Sequence, residues 1–163
     1  MIIAACTDDR MVEDIARDAA KGNHHVFGEW YKVFDSDIPD LRPTEDLFIV
    51  AHGAAFGDEG QPVIGSKGDD FYLTARDLNK NLTILPEGYS GGVYVYACLS
   101  ATPGAGGLSF VESYKALIGP SFPKMSAWGQ TGKPSGPLPP PTDKSWVEAR
   151  GGKGSVLKVL QIH

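Results

Sequence analysis

Cysteine is nearly absent from this chain: Cys6 and Cys98 are the two in 163 residues. Two thiols make no disulfide framework, and a core of this size, burying roughly 68–70% of the unfolded surface, needs none. Cationic excess is missing too, since 15 Lys and Arg stand against 20 Asp and Glu, a net charge of -5. A negative summed field repels phosphate backbones, so nucleic acid is not expected as a partner. No apolar run approaches the ~18 residues that would cross a bilayer, and no membrane partner is expected either. Nothing repeats with a period of ~20–50 residues, which excludes solenoids and propellers. Four histidines without a paired CxxC or an HExxH element give metal ligation no spacing to rest on, so no metal and no other cofactor is expected. The residues after Met1 lack the basic, then apolar, then small-residue plan of a secretory leader. The expectation is a protein of the cytoplasm, or one delivered into the cytosol of a target cell.

What is present is a regular alternation of apolar runs and amphipathic segments. MIIAAC at 1–6 reads as a strand, and Thr7, Asp8 and Asp9 supply cap chemistry for a helix at 9–21 with Met11, Val12, Ile15, Ala16, Ala19 and Ala20 on one side. The acidic pair is most simply a solvated cap. Residues 25–34 read as an edge strand. LFIVA at 47–51 is continuously apolar, the signature of a strand buried on both faces. The Gly- and Asp-rich stretch 54–70 reads as a loop, with a small hairpin from 62–64 and 71–73. Thr74 then caps a helix carrying Leu78, Leu82 and Leu85, and GVYVYA at 92–97 is a strand with Cys98 at its end. A helix follows through Phe110, Val111, Tyr114, Leu117 and Ile118, then a short strand at 125–128. The stretch 129–154 has no periodicity; PSGPLPPP at 134–141 should be extended chain, and the whole reads as a lid bordering a site, a place of self-cleavage or a mobile polar loop. A short turn at 146–149 and a last strand at 155–162 complete the reading. The expected fold is α/β: one domain over 1–163 with a mostly parallel central sheet of about six strands and helices on its faces.

In open α/β sheets, chemistry collects beyond the carboxyl ends of the strands. LFIVA delivers His52 and Gly53 there, and GVYVYA delivers Cys98. Neighbouring parallel strands would bring an imidazole and a thiol to one substrate, since strands lie about 5 Å apart. A free thiol is only a few per cent thiolate at neutral pH, and His52 is the base that would activate it. Gly53, lacking a side chain, lets its backbone N–H approach a reacting carbonyl, and with the Cys98 N–H it would form an oxyanion hole.

A strand ending in His-Gly, a hairpin-like passage, a helix of the TARDL kind at 74–78 and a strand ending in Ala-Cys before small residues together resemble the caspase-like (clan CD) cysteine peptidases, near the CHAT-domain and bacterial toxin protease-domain branch. The resemblance covers roughly residues 47–130. It implies a three-layer αβα sandwich, His52 as general base and acid, Cys98 as nucleophile, and Gly53 with Cys98 as oxyanion donors. It further implies a protein or peptide substrate and places substrate contacts at Ser126, Ala127, Trp128 and Gln130. No arginine lies in that stretch, which leaves a caspase-type pocket for an aspartate unsupported; Gly129 and Trp128 would suit a neutral or apolar side chain, unless acids at 58, 59, 69 or 70 select a basic one. A small acidic peptidase of this kind suits an effector or toxin.

Two rivals use the same residues. A flavodoxin-like or Rossmann-like module would hold a small ligand at these strand ends with an unreactive Cys98. An inactive peptidase-like scaffold, or a thiol enzyme acting on esters or transferring acyl groups, would keep the layout and change the chemistry. Cys6 reads as a buried small hydrophobe, and the adjacent His24 and His25 as a solvated loop. PGAGG at 103–107 lacks the lysine followed by Ser or Thr of a phosphate-binding loop.

Overall fold

The computed structural model describes residues 1–57, 60–67 and 71–150. The expected strand at 155–162 and the acids at 58, 59, 69 and 70 lie outside the described residues. The described residues form two sheets. The larger contains β1 (Ile2–Ala4), β2 (Trp30–Lys32), β3 (Leu47–Val50), β7 (Gly92–Tyr96), β8 (Ser126–Gly129) and β9 (Val147–Glu148), in the order β2-β1-β3-β7-β8-β9. The pairings from β2 through β8 are parallel, whereas β8 and β9 run antiparallel, so the sheet is mixed. The smaller sheet is an antiparallel meander of β4 (His52–Ala54), β5 (Val63–Gly65) and β6 (Tyr72–Leu73).

The strands at the centre are those whose sequences are apolar throughout. Every residue of β1, β3 and β7 is buried, because both faces of the sheet are covered. Alternation along these strands sorts the core in two. Ile3, Leu47, Ile49, Val93 and Val95 face α3 (Ala75–Asn81) and α4 (Phe110–Ile118) through Leu78, Phe110 and Tyr114. Ile2, Phe48, Val50, Tyr94 and Tyr96 face α1 (Arg10–Gly22) and the short α2 (His24–Phe27). Both α3 and α4 open on reciprocal capping boxes, Thr74 with Asp77 and Ser109 with Glu112, which satisfy backbone N–H groups that the first turn leaves orphaned.

The expected edge strand at 25–34 is corrected in its first half. His24–Phe27 form a helical turn closed by Gly28 at φ 70, and Phe27 packs edge-on to Phe48 at 4.9 Å. Only Trp30–Lys32 pair, at the outer edge. The stretch after β8 is likewise neither loose nor featureless. It runs back over the sheet as a strap: Leu138 and Trp146 are buried against Tyr94 and Tyr96, the Tyr96 hydroxyl donates to the carbonyls of Ser135 and Gly136, and the Trp146 ring N–H donates to the Pro140 carbonyl. Proline removes backbone donors and lowers the entropy of an extended chain, so a strap can pack by a few side-chain anchors without a ladder. Among the described residues no helix is long and apolar enough to cross a membrane.

Candidate active site

Strand order places the chemistry. From β1 the chain passes through α1 to β2 on one side, then returns to β3 on the other side of β1. The β1/β3 junction is therefore a switch point, the place where open α/β sheets leave a crevice at their carboxyl edge. Three neighbouring strands, β1, β3 and β7, run into Asp9, His52 and Cys98 in turn.

Gly53 lies hard against the Cys98 backbone. A Cβ at Gly53 would stand 2.3 Å from the Cys98 carbonyl oxygen and 3.2 Å from its nitrogen, so only glycine fits there. This contact brings the His-Gly and Ala-Cys elements together, and His52 and Cys98 line the same cavity. The turn carrying Cys98 is fixed from behind. Leu99 is the only non-glycine residue with positive φ among those described, at 58°, and its N–H donates to the Gly132 carbonyl at 2.9 Å. The Ser100 hydroxyl donates to the Val95 carbonyl and accepts from the Gln130 N–H, both at 2.9 Å. The Leu99, Ser100 and Ala101 amides all have backbone acceptors, while among the described residues none meets the Cys98 N–H. An unpaired amide at the thiol-bearing residue is the donor an oxyanion needs.

The third group is Asp9, which sequence reading took for a solvated cap. It is a cap, its Oδ1 accepting from the Val12 N–H at 3.2 Å, but its side chain is only 8% exposed. Oδ2 accepts from the Lys67 N–H at 2.8 Å and lies 3.0 Å from His52 Nε2. The ring nitrogen is buried and this approach is out of line for a hydrogen bond, so the two groups are in close contact without one. Burial pushes the Asp9 carboxyl up, but the backbone donors at Lys67 and Val12, with His52 beside it, hold it below its ordinary value of 3.8. A carboxylate on Nε2 leaves Nδ1 for the thiol. The signal for Asp9 was the one used for the other two: a polar residue just after a buried apolar strand.

The two cysteines differ sharply. Cys6 is 1% exposed, and burial, with Glu13 adding to it, pushes its thiol up to about 11. Cys98 is half-buried at the cavity. The four expected substrate contacts do not line that cavity. Ala127 is fully buried in the core under the α3–α4 layer and has no surface to offer. Trp128 stacks on Tyr94 at 5.8 Å and donates to the Ser126 hydroxyl, while Gln130 is buried behind Cys98, donating to the Ser145 hydroxyl. The edge of β8, the strand on which the resemblance places these contacts, is occupied by β9. His24 and His25 are exposed on α2, and no three His, Cys, Asp or Glu among the described residues converge on a metal position. In 103–107 the Gly104, Ala105 and Gly107 amides donate to protein carbonyls, so that loop is no anion cradle.

No protein-family model matches the sequence, and neither a curated protein nor a solved structure is found to be similar to it.

Proposed function

We propose that this protein is a cysteine hydrolase that cleaves peptide bonds with Cys98 as nucleophile, in a caspase-like arrangement. The reading is carried by one observation: the Gly53 backbone abuts Cys98, so that the imidazole beside Asp9 and a thiol with an unpaired amide border one cavity. In the reaction, His52 takes the thiol proton and Cys98 Sγ bonds to the scissile carbonyl carbon. The Cys98 and Gly53 amides hold the oxyanion. Collapse breaks the C–N bond as His52 returns the proton to the leaving amine, giving a thioester. His52 then deprotonates water, which attacks the thioester and releases the acid and the free thiol. Asp9 holds the ring in place between these steps. The order of strands and of His before Cys supports the caspase-like comparison.

The test is alkylation and turnover together. Cys6 is sealed, so intact-mass labelling with iodoacetamide at neutral pH reads Cys98 alone. Cys98 should be alkylated faster than a small free thiol under the same conditions, and His52→Ala should remove that advantage. Cys98→Ala and His52→Ala should each lower cleavage of a mixed quenched-fluorescent peptide library on the order of 10⁴-fold with the fold retained. Labelling of Cys98 no faster than the free thiol, with no peptide cleaved, sinks the proposal in favour of a binding module.

A further inference from the structure

The cavity at His52 and Cys98 has a volume of about 1240 Å³ and follows α1 along its length, from Arg10 to Gly22 and on to Phe27. Its helix wall is a single stripe, Arg10 and Met11, Asp14 and Ile15, Asp18 and Ala19, repeating every four residues. The strap from Lys133 to Leu138 forms the opposite wall. At 1.5 Å per residue the groove is ~18 Å long from Arg10 to Gly22, the span of about five residues of extended chain. Met11 stands 55% exposed on it, a large apolar side chain facing the groove.

The charges along this groove are ordered. Arg10 follows Asp9, the neighbour of His52, and Lys133 follows Gly132, whose carbonyl accepts from Leu99 beside Cys98. Two cations thus flank the reacting end, and among the described residues neither has an ion-pair partner. Asp14 is engaged by Arg17 at 2.6 Å. Asp18, two helical turns beyond Arg10 and ~12 Å away, has no such partner among the described residues.

We infer that this groove, and not the β8 edge, receives the substrate, and that the substrate is an extended peptide, apolar in its middle, with a carboxylate beside the scissile bond and a cation three to four residues away facing Asp18. The inference rests on Cys98 being the nucleophile. It is tested with two quenched-fluorescent peptides of identical composition, one with the acid near the cut and the base four residues off, the other with these exchanged. The first order should be cleaved with kcat/KM about tenfold higher, mostly through KM, and the gap should shrink with added salt. Asp18→Lys should lower the preference for a distal base by about fivefold. Fluorescence anisotropy on Cys98→Ala should rank the two peptides in the same order. Equal cleavage of both orders overturns the groove while labelled Cys98 leaves the hydrolase standing. Ordered binding without cleavage by the wild type overturns the groove as a substrate channel, and an inert Cys98 removes both readings.

Discussion

One face of the six-stranded sheet is sealed by α3 and α4, which cover Ile3, Leu47, Ile49, Val93 and Val95. The opposite face carries α1 and then, over Tyr94 and Tyr96, the proline-rich strap anchored by Leu138 and Trp146. The first face is a continuous apolar layer. The second is an aromatic ladder, with Phe48 stacked on Tyr94 at 5.1 Å and Trp146 meeting Tyr94 edge-on at the same distance, and between helix and strap it leaves a groove. A pair of helices meeting along their ridges closes a surface, whereas one helix beside an extended chain cannot fill the same volume. Function follows that difference: the site opens on the face where packing is incomplete.

Truncations on the two faces should therefore differ in kind. Phe110, on the inner side of α4, is 1% exposed and Leu138, on the inner side of the strap, is 4% exposed. Phe110→Ala should cost about 3–5 kcal/mol of global stability by leaving a cavity in the closed layer. Leu138→Ala should cost about 2 kcal/mol, because the strap can settle or lift without opening the rest. Urea midpoints give the first quantity, and native-state alkylation separates the mechanisms. Lifting the strap should speed labelling of Cys98 several-fold and leave Cys6, sealed with α1, unreactive. Equal midpoint shifts with both thiols exposed in Leu138→Ala would make the strap an integral core layer and erase the contrast.

Asp9→Asn sharpens the open side, since Asp9 starts the helix that walls the groove. Asparagine can still cap Val12, but its amide presents N–H to the Lys67 donor and to His52 Nε2. The cost should be about 1–3 kcal/mol at neutral pH, the price of unsatisfied buried donors. The sign of the pH dependence follows from the carboxyl lying below its ordinary value in the folded protein. Stabilisation by the ionised group is complete above the unfolded value near 3.8 and is lost as pH falls through the lower folded value. The difference between wild type and Asp9→Asn should thus be flat from neutral pH down to about 4 and narrow below it, read by denaturant titration. Turnover should fall with kcat more than KM, as expected of a positioning group, and a gap that persists unchanged into strong acid would detach Asp9 from the site.

How far the sequence disclosed this arrangement depends on the residue. LFIVA and GVYVYA announce central strands because burial on both faces removes polar alternation, and their ends mark His52 and Cys98. Asp9 was open to the same argument after MIIAAC, but two adjacent aspartates before an amphipathic helix read first as solvated caps. The strap was legible as extended chain that could border a site, but its packing was not, since polyproline chain has no period and its anchors, Leu138 and Trp146, stand alone among prolines and polar residues. Nor was β4 legible: His52–Ala54 follow β3 after a single residue and show no apolar alternation, so the chain reads as leaving its strand at Ala51. The antiparallel β9 is two residues long, too short for any pattern, yet it pairs with the strand on which the family resemblance placed substrate contacts.

The finest of these tests falls on Leu99, where β7 hands the chain to the turn and the root of the strap holds it through Gly132. A left-handed conformation costs an L-residue about 1–2 kcal/mol, and Leu99 at φ 58 accepts it because Ser100, Gln130 and Gly132 fix both sides of the turn. Glycine relieves the strain but frees the unfolded chain by about the same amount, so Leu99→Gly should shift stability by less than about 1 kcal/mol. Leu99→Ile keeps the volume and adds a branch at Cβ, where positive φ is least tolerated. It should destabilise by about 1–2 kcal/mol and slow Cys98 labelling, while Leu99→Gly should slow labelling alone by slackening the turn. Should isoleucine prove as neutral as glycine in the urea midpoint, the backbone at Cys98 is not held under strain, and the strap's root contributes only packing.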